Sequence, residues 1–324
     1  MNVPHPRDAT RLLGHHALAR RLEEAWQAKR LHHAILLQGP KGIGKATLGY
    51  MLAKLVLSGE SSFAEAVRST AHDQIAGGAA AGFRPVTKGF SREGRERKVI
   101  TVDEIRAVEP FLRQRIGGGC WRVVLIDAAT DMNVQAANAL LKLLEEPGER
   151  TLYILIAQDA RPLLPTIRSR CIHYRLAPLP YQVVEELLVG FGIDVDLAAR
   201  SAKAARGSVA RGVLLAERDA LQALSALEEL LNRPQWSAGA AQRVLDLAVA
   251  KDADDVFALV EEEVPRRLRI EARKSVVPHL ADAAASIAAQ LTEREAFGVD
   301  RRLNLRAALS EAHRARWNGA ARTS

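Results

Sequence analysis

Two kinds of apolar spacing divide this 324-residue chain. In the first half, unbroken apolar runs alternate with stretches whose apolar residues return every three or four positions. The unbroken runs are Ala34–Leu37, Trp121–Ile126, Thr151–Ala157 and Ile172–Leu176, with Phe83–Thr87 as a fifth candidate; all have strand length. Between them fall helical patterns. Leu18, Leu22, Ala25 and Trp26 share one face, and Leu48, Met51, Leu52, Leu55 and Val56 share another before a stop at Ser58-Gly59. Thr101 with Glu104 forms a capping box, opening a helix through Ile105, Val108 and Leu112 that ends near Gly117–Gly119. Asn133–Glu146 is an amphipathic helix closed by Pro147-Gly148, with Ala136, Leu140, Leu143 and Leu144 inward. Pro178-Leu-Pro180 ends this regime. Beyond it come three short helices from Val183, Val195 and Val209, and then helical spacing without strands. Those later helices run through Leu221–Leu231, Ala240–Ala250, Asp252–Leu268, Lys274–Leu291 and Leu303–Ala312.

The chemistry is concentrated where strand runs end. Ala34–Leu37 leads into Gly39–Lys45, which satisfies GxxxxGK. Gly39, Gly42 and Gly44 let the backbone curl its N–H groups inward, a helix begins beneath, and Lys45 reaches phosphate oxygens. A Ser or Thr hydroxyl should follow to hold Mg²⁺, but the residue is Ala46. Thr47 is one position late, roughly 100° further round the helix. The second apolar run delivers Asp127 to a strand end, the Walker B arrangement. The acid that would polarise an attacking water is replaced by Ala128, and Glu145 and Glu146 lie several turns away. Gln158 and Asp159 follow the third run, where a polar residue can sense a terminal phosphate. Arg168-Ser169-Arg170-Cys171 precedes the last run; an arginine there is either structural or extended into a neighbour's phosphate pocket.

Composition narrows the function classes. With 48% apolar and 26% charged residues the chain suits a globular protein of two or three units. Aromatic residues are only 5%, which argues against base stacking as a main activity, while a net charge of +8 is compatible with phosphate-backbone contact. Gly89–Lys98 is a basic loop read as a solvated excursion ahead of a nucleic-acid backbone contact, and Arg266-Arg267, Arg301-Arg302 and Arg314–Arg316 as solvated or inter-subunit salt-bridging faces ahead of a separate DNA site. Met1–Thr10 has no apolar core of a signal peptide, and no run is long enough to span a bilayer. The two cysteines, Cys120 and Cys171, are flanked by strand residues and expected as buried thiols, which fits a cytoplasmic location.

The segments GPKGIGKAT, VVLIDAATDMNVQAANALLKLLEEP and LLPTIRSRC together resemble the delta-prime subunit family of bacterial DNA polymerase III clamp loaders, which are AAA+ proteins. The likeness is tight over residues 10–220 and architectural beyond. It implies a five-stranded parallel AAA+ sheet domain (1–176), a small helical lid (177–218) and a helical collar that joins subunits (219–324). It also implies a stator: a rigid partner of the gamma/tau motor subunits and the delta subunit, helping to load the sliding clamp onto primer–template DNA. In that family Arg170 stands where an arginine finger is presented to ATP on the adjacent subunit. Arg211 resembles the lid arginine above a nucleotide, and Asn133 falls where such helices approach DNA. Many relatives carry a four-cysteine zinc module between the phosphate loop and Walker B. Ser58–Lys98 has no cysteine, and His72 with Asp73 does not replace it, so zinc is not expected. No cofactor is required for chemistry of its own; ATP or ADP binding at Gly39, Gly42, Gly44, Lys45, Thr47, Asp127, Gln158 and Arg211 remains open, with poor support for Mg²⁺. Two other readings stay open: an autonomous ATPase using Thr47 and a displaced acid, and a stand-alone DNA-binding module.

Overall fold

The inner strands of the central sheet are short and mostly apolar, because helices cover both faces, while the two edge strands are largely exposed. The computed structural model describes residues 3–89, 97, 99–114, 120–158, 163–217, 220–249, 254–296 and 300–318. The strands are β1 (Ala34–Gly39), β2 (Phe83–Val86), β3 (Arg122–Asp127), β4 (Thr151–Gln158) and β5 (Ile172–Arg175). All neighbours pair in parallel, in the order β2-β3-β4-β1-β5. β1 and β4 therefore lie inside the sheet, and seven of the eight β4 residues are buried.

The two-residue period of a strand sorts this sheet into two cores. On one face Ile35, Leu37, Val123, Leu125, Ile154 and Ile156 pack against α1 (His16–Gln27), α2 (Lys45–Ser58), α3 (Phe63–Ala66) and α4 (Thr70–Ala76). On the other, Leu36, Val124, Ile126, Tyr153 and Leu155 meet α5 (Val102–Arg106), α6 (Val108–Arg113), α7 (Val134–Glu145) and α8 (Pro165–Arg168). The expected helix from Thr101 is thus two pieces broken at Ala107, and its glycine stop at Gly117–Gly119 lies outside the described residues. The capping box holds: Thr101 N donates to the Glu104 carboxylate at 2.7 Å.

Three helices follow: α9 (Tyr181–Gly190), α10 (Val195–Ala205) and α11 (Val209–Ala216). Residues 1–212 form one compact unit and 213–324 a second, with the divide inside α11. The segment that leaves β5 is tied to the three-helix group through backbone. Leu179 N donates to Gly207 O at 3.1 Å, and Gly207 has φ +78°. A Cβ at Gly207 would stand 2.4 Å from Leu179 O, so the turn needs glycine for both conformation and space.

The second unit contains α12 (Ala220–Asn232), α13 (Ala238–Ala248), α14 (Asp254–Ser275), α15 (Pro278–Ala296) and α16 (Arg301–Asn318). Its core includes Leu227, Val244, Val260, Leu268, Ile287 and Leu309. Here the basic clusters are largely engaged inside the unit rather than offered to a neighbour. Arg266 and Arg267 both pair with the buried Glu263, at 2.6 and 3.2 Å, Arg301 pairs with Glu261 at 3.0 Å, and Arg316 pairs with Glu271 at 3.1 Å. A carboxylate buried as Glu263 is must be paired, and two guanidiniums on the following turn do this.

The cysteines divide. Cys171 is partly buried, and burial pushes its thiol up to about 11. Cys120 is exposed, against the expectation of a buried thiol, because β3 starts only at Arg122 and Cys120 belongs to the loop before it. Of the basic loop, only Gly89 and Arg97 are described; Arg97 pairs with Glu104 at 3.0 Å.

Candidate functional site

The parallel sheet gathers the phosphate-loop residues at the ends of β1, β3 and β4. Gly39 ends β1 in register with Gln158, the last residue of β4, so Gln158 stands beside the start of the loop. Gly42 and Gly44 take φ of +76° and +96°, which turn the backbone directly into α2 at Lys45. The turn expected of the glycines is therefore made at Gly42 and Gly44, while Gly39 is still the last residue of β1. Lys45 is buried, and its ammonium donates to the loop's own carbonyls, Gly39 O at 2.8 Å and Pro40 O at 2.5 Å. A phosphate would have to draw the ammonium away from them.

Asp127 ends β3 close enough to Lys45 for their charges to interact. Burial raises its carboxyl above the usual aspartate range, the Lys45 charge opposes this, and the Asp131 charge adds to it. Ala128 next to it is buried, so the methyl group read in the sequence does occupy the position after the Walker B aspartate. A second carboxylate escaped the sequence reading. Asp131, in a single 3-10 turn after β3, is buried and pairs with Lys88 Nζ at 2.7 Å. That engagement fits a structural carboxylate better than a displaced base. The raised Asp127 pKa gives a stability prediction. Protonated Asp127 is favoured by the fold, a contribution present below the unfolded-state pKa and lost as pH rises through the higher folded one. Asp127→Asn is therefore expected to stabilise the protein at pH 7, with the gain shrinking toward pH 4, as read from urea unfolding at both.

The helices beyond the sheet close over the loop. Val209 N, at the start of α11, donates to Gly42 O at 2.8 Å, and a Cβ at Gly42 would stand 2.5 Å from Ser208 Oγ. Arg211 lies two residues further along, in the first turn of α11, with its backbone N–H on Ser208 Oγ at 3.2 Å. The fold thus brings Arg211's helix to the phosphate loop. His15, which belongs to no recognised motif, precedes α1 with φ 55° and bonds Ile43 O through Nε2 at 2.8 Å. Burial lowers its pKa, so the neutral ring donates to that carbonyl. Thr47 is half-buried one residue past Ala46, which packs against the core under the sheet. Asn133 caps α7, its side-chain oxygen accepting from Ala136 N at 2.8 Å.

Arg170 is elsewhere. It precedes β5, whose Ile172 is in register with Ile35 near the start of β1, whereas the phosphate loop leaves the other end of β1 at Gly39. Between those ends β1 advances roughly 17 Å. Arg170 Nη2 pairs with Glu145 Oε1 at 2.5 Å, and Nη1 donates to Thr166 O at 2.9 Å. Beside it is a cleft of about 490 Å³, lined among others by His32, His33, Leu144, Ser169 and Cys171. Among the described residues no group of three side chains could hold a metal ion.

Strand order, a glycine–lysine loop leading into a helix, and an aspartate ending the neighbouring strand define a P-loop domain of the AAA+ type, with helices following it. The family model for the DNA polymerase III, delta subunit matches residues 14–180, and the chain belongs to that family. It is 42% identical to DNA polymerase III subunit delta' of Pseudomonas aeruginosa over 46% of this chain and 44% of that protein. The corresponding subunit of Escherichia coli is 35% identical over 50% and 47%. A DNA polymerase III subunit gamma of Buchnera aphidicola is 28% identical over 53% and 45%. The matches span about half the length of these curated relatives. No helix among the described residues is long and apolar enough to cross a membrane.

Proposed function

We propose that this chain is the stator of a DNA polymerase III clamp loader, lending Arg170 to ATP bound by an adjacent subunit while hydrolysing little or none itself. One observation carries this: Arg170 stands at the opposite end of the strands from its own phosphate loop, too far to serve it. At that loop Ala46 offers no hydroxyl for a metal, and Ala128 offers no base. A guanidinium at a subunit's edge has the charge and fork geometry to neutralise a phosphoryl group in flight. The partners in this reading are gamma- or tau-type motor subunits and a delta subunit, with the sliding clamp and primer–template DNA engaged by the whole complex in the cytoplasm. Residues 1–176 act as the AAA+ domain, 177–218 as its lid and 219–324 as a collar against other subunits.

The test is ATP turnover by the purified chain and by the reconstituted complex. The reading expects background turnover from the chain alone and Arg170-dependent turnover from the complex. Rapid hydrolysis by the isolated chain, abolished by Lys45→Ala, would replace it with an autonomous ATPase. Lys45 and the loop glycines keep nucleotide binding without turnover within this proposal. Titration calorimetry is then expected to show ADP or ATP binding that changes less than about threefold on adding Mg²⁺, since the hydroxyl that normally holds the ion is missing. A Mg²⁺ effect of tenfold or more would mean that Thr47 supplies that ligand.

A further inference from the structure

We infer that Glu145 is a positioning residue for Arg170, fixing the guanidinium for a phosphate on the neighbouring subunit. The inference rests on the arginine reading above and adds a second residue to it.

Arg170 enters its site from a well-anchored backbone. Ile167, in the preceding helix α8, is fully buried, and Arg170 N donates to Ile167 O at 3.1 Å. The side chain is then caught on both arms of its fork, with Ser169 Oγ a longer contact of Nη1 at 3.5 Å. Nη1 bonds Thr166 O within its own turn, which holds one side of the fork to the chain that bears it. Nη2 meets Glu145 Oε1, the only one of these partners that comes from a distant element. Two anchors fix the plane of a guanidinium where one would let it swing. Among the described residues Nε and the second Nη2 hydrogen have no partner, and these donors remain for an incoming oxygen.

Glu145 is itself held. It is the last residue of α7, whose C-terminal carbonyls favour a nearby cation. His33, from the chain entering β1, bonds Leu144 O at 3.3 Å through Nε2, one residue away. Burial, then the neighbouring His32, lowers the His33 pKa, which keeps it a neutral donor to that carbonyl. Leu144 is buried in the core. The end of α7 is thus pinned from β1 and from inside, and Glu145 carries that rigidity across to Arg170. A surface ion pair contributes little to stability, so the consequence to look for is catalytic.

The experiment uses the reconstituted complex, with ATP turnover measured against ATP concentration for Glu145→Gln, Arg170→Ala and the double variant. Glutamine keeps the shape and removes the charge, and both Glu145 and Arg170 are partly exposed, so folding is preserved; gel filtration checks assembly. Glu145→Gln is expected to lower kcat roughly tenfold, with KM for ATP changed less than about twofold. The double variant should turn over no more slowly than Arg170→Ala alone, because Glu145 acts only through the arginine. A purely structural Glu145 would make the double variant slower still, and that result would overturn the inference. So would Glu145→Gln turnover within twofold of wild type in a complex where Arg170→Ala is impaired. If Arg170→Ala is itself without effect, the arginine-finger reading fails and Glu145 loses its role with it.

Discussion

Arg170→Ala is expected to lower ATP turnover of the reconstituted complex by up to ~10³-fold while the complex still assembles. The size follows from what the guanidinium would do. Charge on the transferred phosphoryl group grows toward the transition state, and a fixed cation at its edge stabilises that state more than the bound ATP. The loss should therefore fall on kcat rather than on KM. Arg170→Lys should recover little, because an ammonium cannot reproduce the two-pronged fork. The companion experiment is Lys45→Ala in this chain. It alters only the chain's own phosphate loop, roughly 17 Å along β1 from the entry side where Arg170 lies. Turnover of the complex is expected to stay within about twofold. Lys45→Ala as damaging as Arg170→Ala would mean that the chain contributes a hydrolysing site of its own. Full turnover from an assembled Arg170→Ala complex would leave the arginine a structural residue paired with Glu145.

The parts of the site visible in the sequence were those made by consecutive residues. A strand followed by Gly39–Lys45 contains both the backbone curl and the lysine, and Val123–Asp127 contains a buried strand with its terminal acid. Local chemistry settles each, so the missing groups at Ala46 and Ala128 were legible too. The inner strands β1, β3 and β4 were likewise readable because a sheet covered on both faces leaves near-continuous apolar runs. What stayed hidden depends on pairing across the fold. No spacing announces that Lys88 meets Asp131, that His15 reaches Ile43 O, or that Val209 N closes onto Gly42 O. The ion pair of Glu145 with Arg170 joins residues 25 apart and exists only because the end of α7 packs beside α8 and the turn that follows it. Cys120 shows the opposite error, in which strand-like neighbours suggested burial at a position two residues outside the sheet. The split at Ala107 is smaller in kind: apolar spacing continues across it, and only the backbone breaks.

The other large effect concerns Lys54, which the apolar pattern of α2 concealed. Its flanking residues Ala53 and Leu55 are core, and Lys54 itself is fully buried. The ammonium donates to Ala9 O at 2.7 Å, tying the segment ahead of α1 onto α2. One such bond does not replace hydration, and burial lowers the lysine to about 8, with the Asp8 charge opposing the shift. His72, on α4, feels the Lys54 charge and is itself lowered, first by its own burial. Below about pH 8 folded and unfolded chains both hold the Lys54 proton, and stability does not vary with pH on its account. Between about 8 and 10.5 the unfolded chain retains a proton the folded chain has released, so stability rises with pH. Linkage limits that rise to on the order of 3 kcal/mol over the window. Lys54→Met fills the same space without a charge. It is expected to be more stable than wild type at pH 7, less the small contribution of the lost bond to Ala9, and its advantage should shrink steadily above pH 8. Urea unfolding of both proteins at half-unit steps from pH 7 to 10.5 measures the difference, in which the other lysines and tyrosines cancel. Parallel curves would show that the Lys54 ammonium is as well solvated in the fold as in water, and that its bond to Ala9 carries no burial cost.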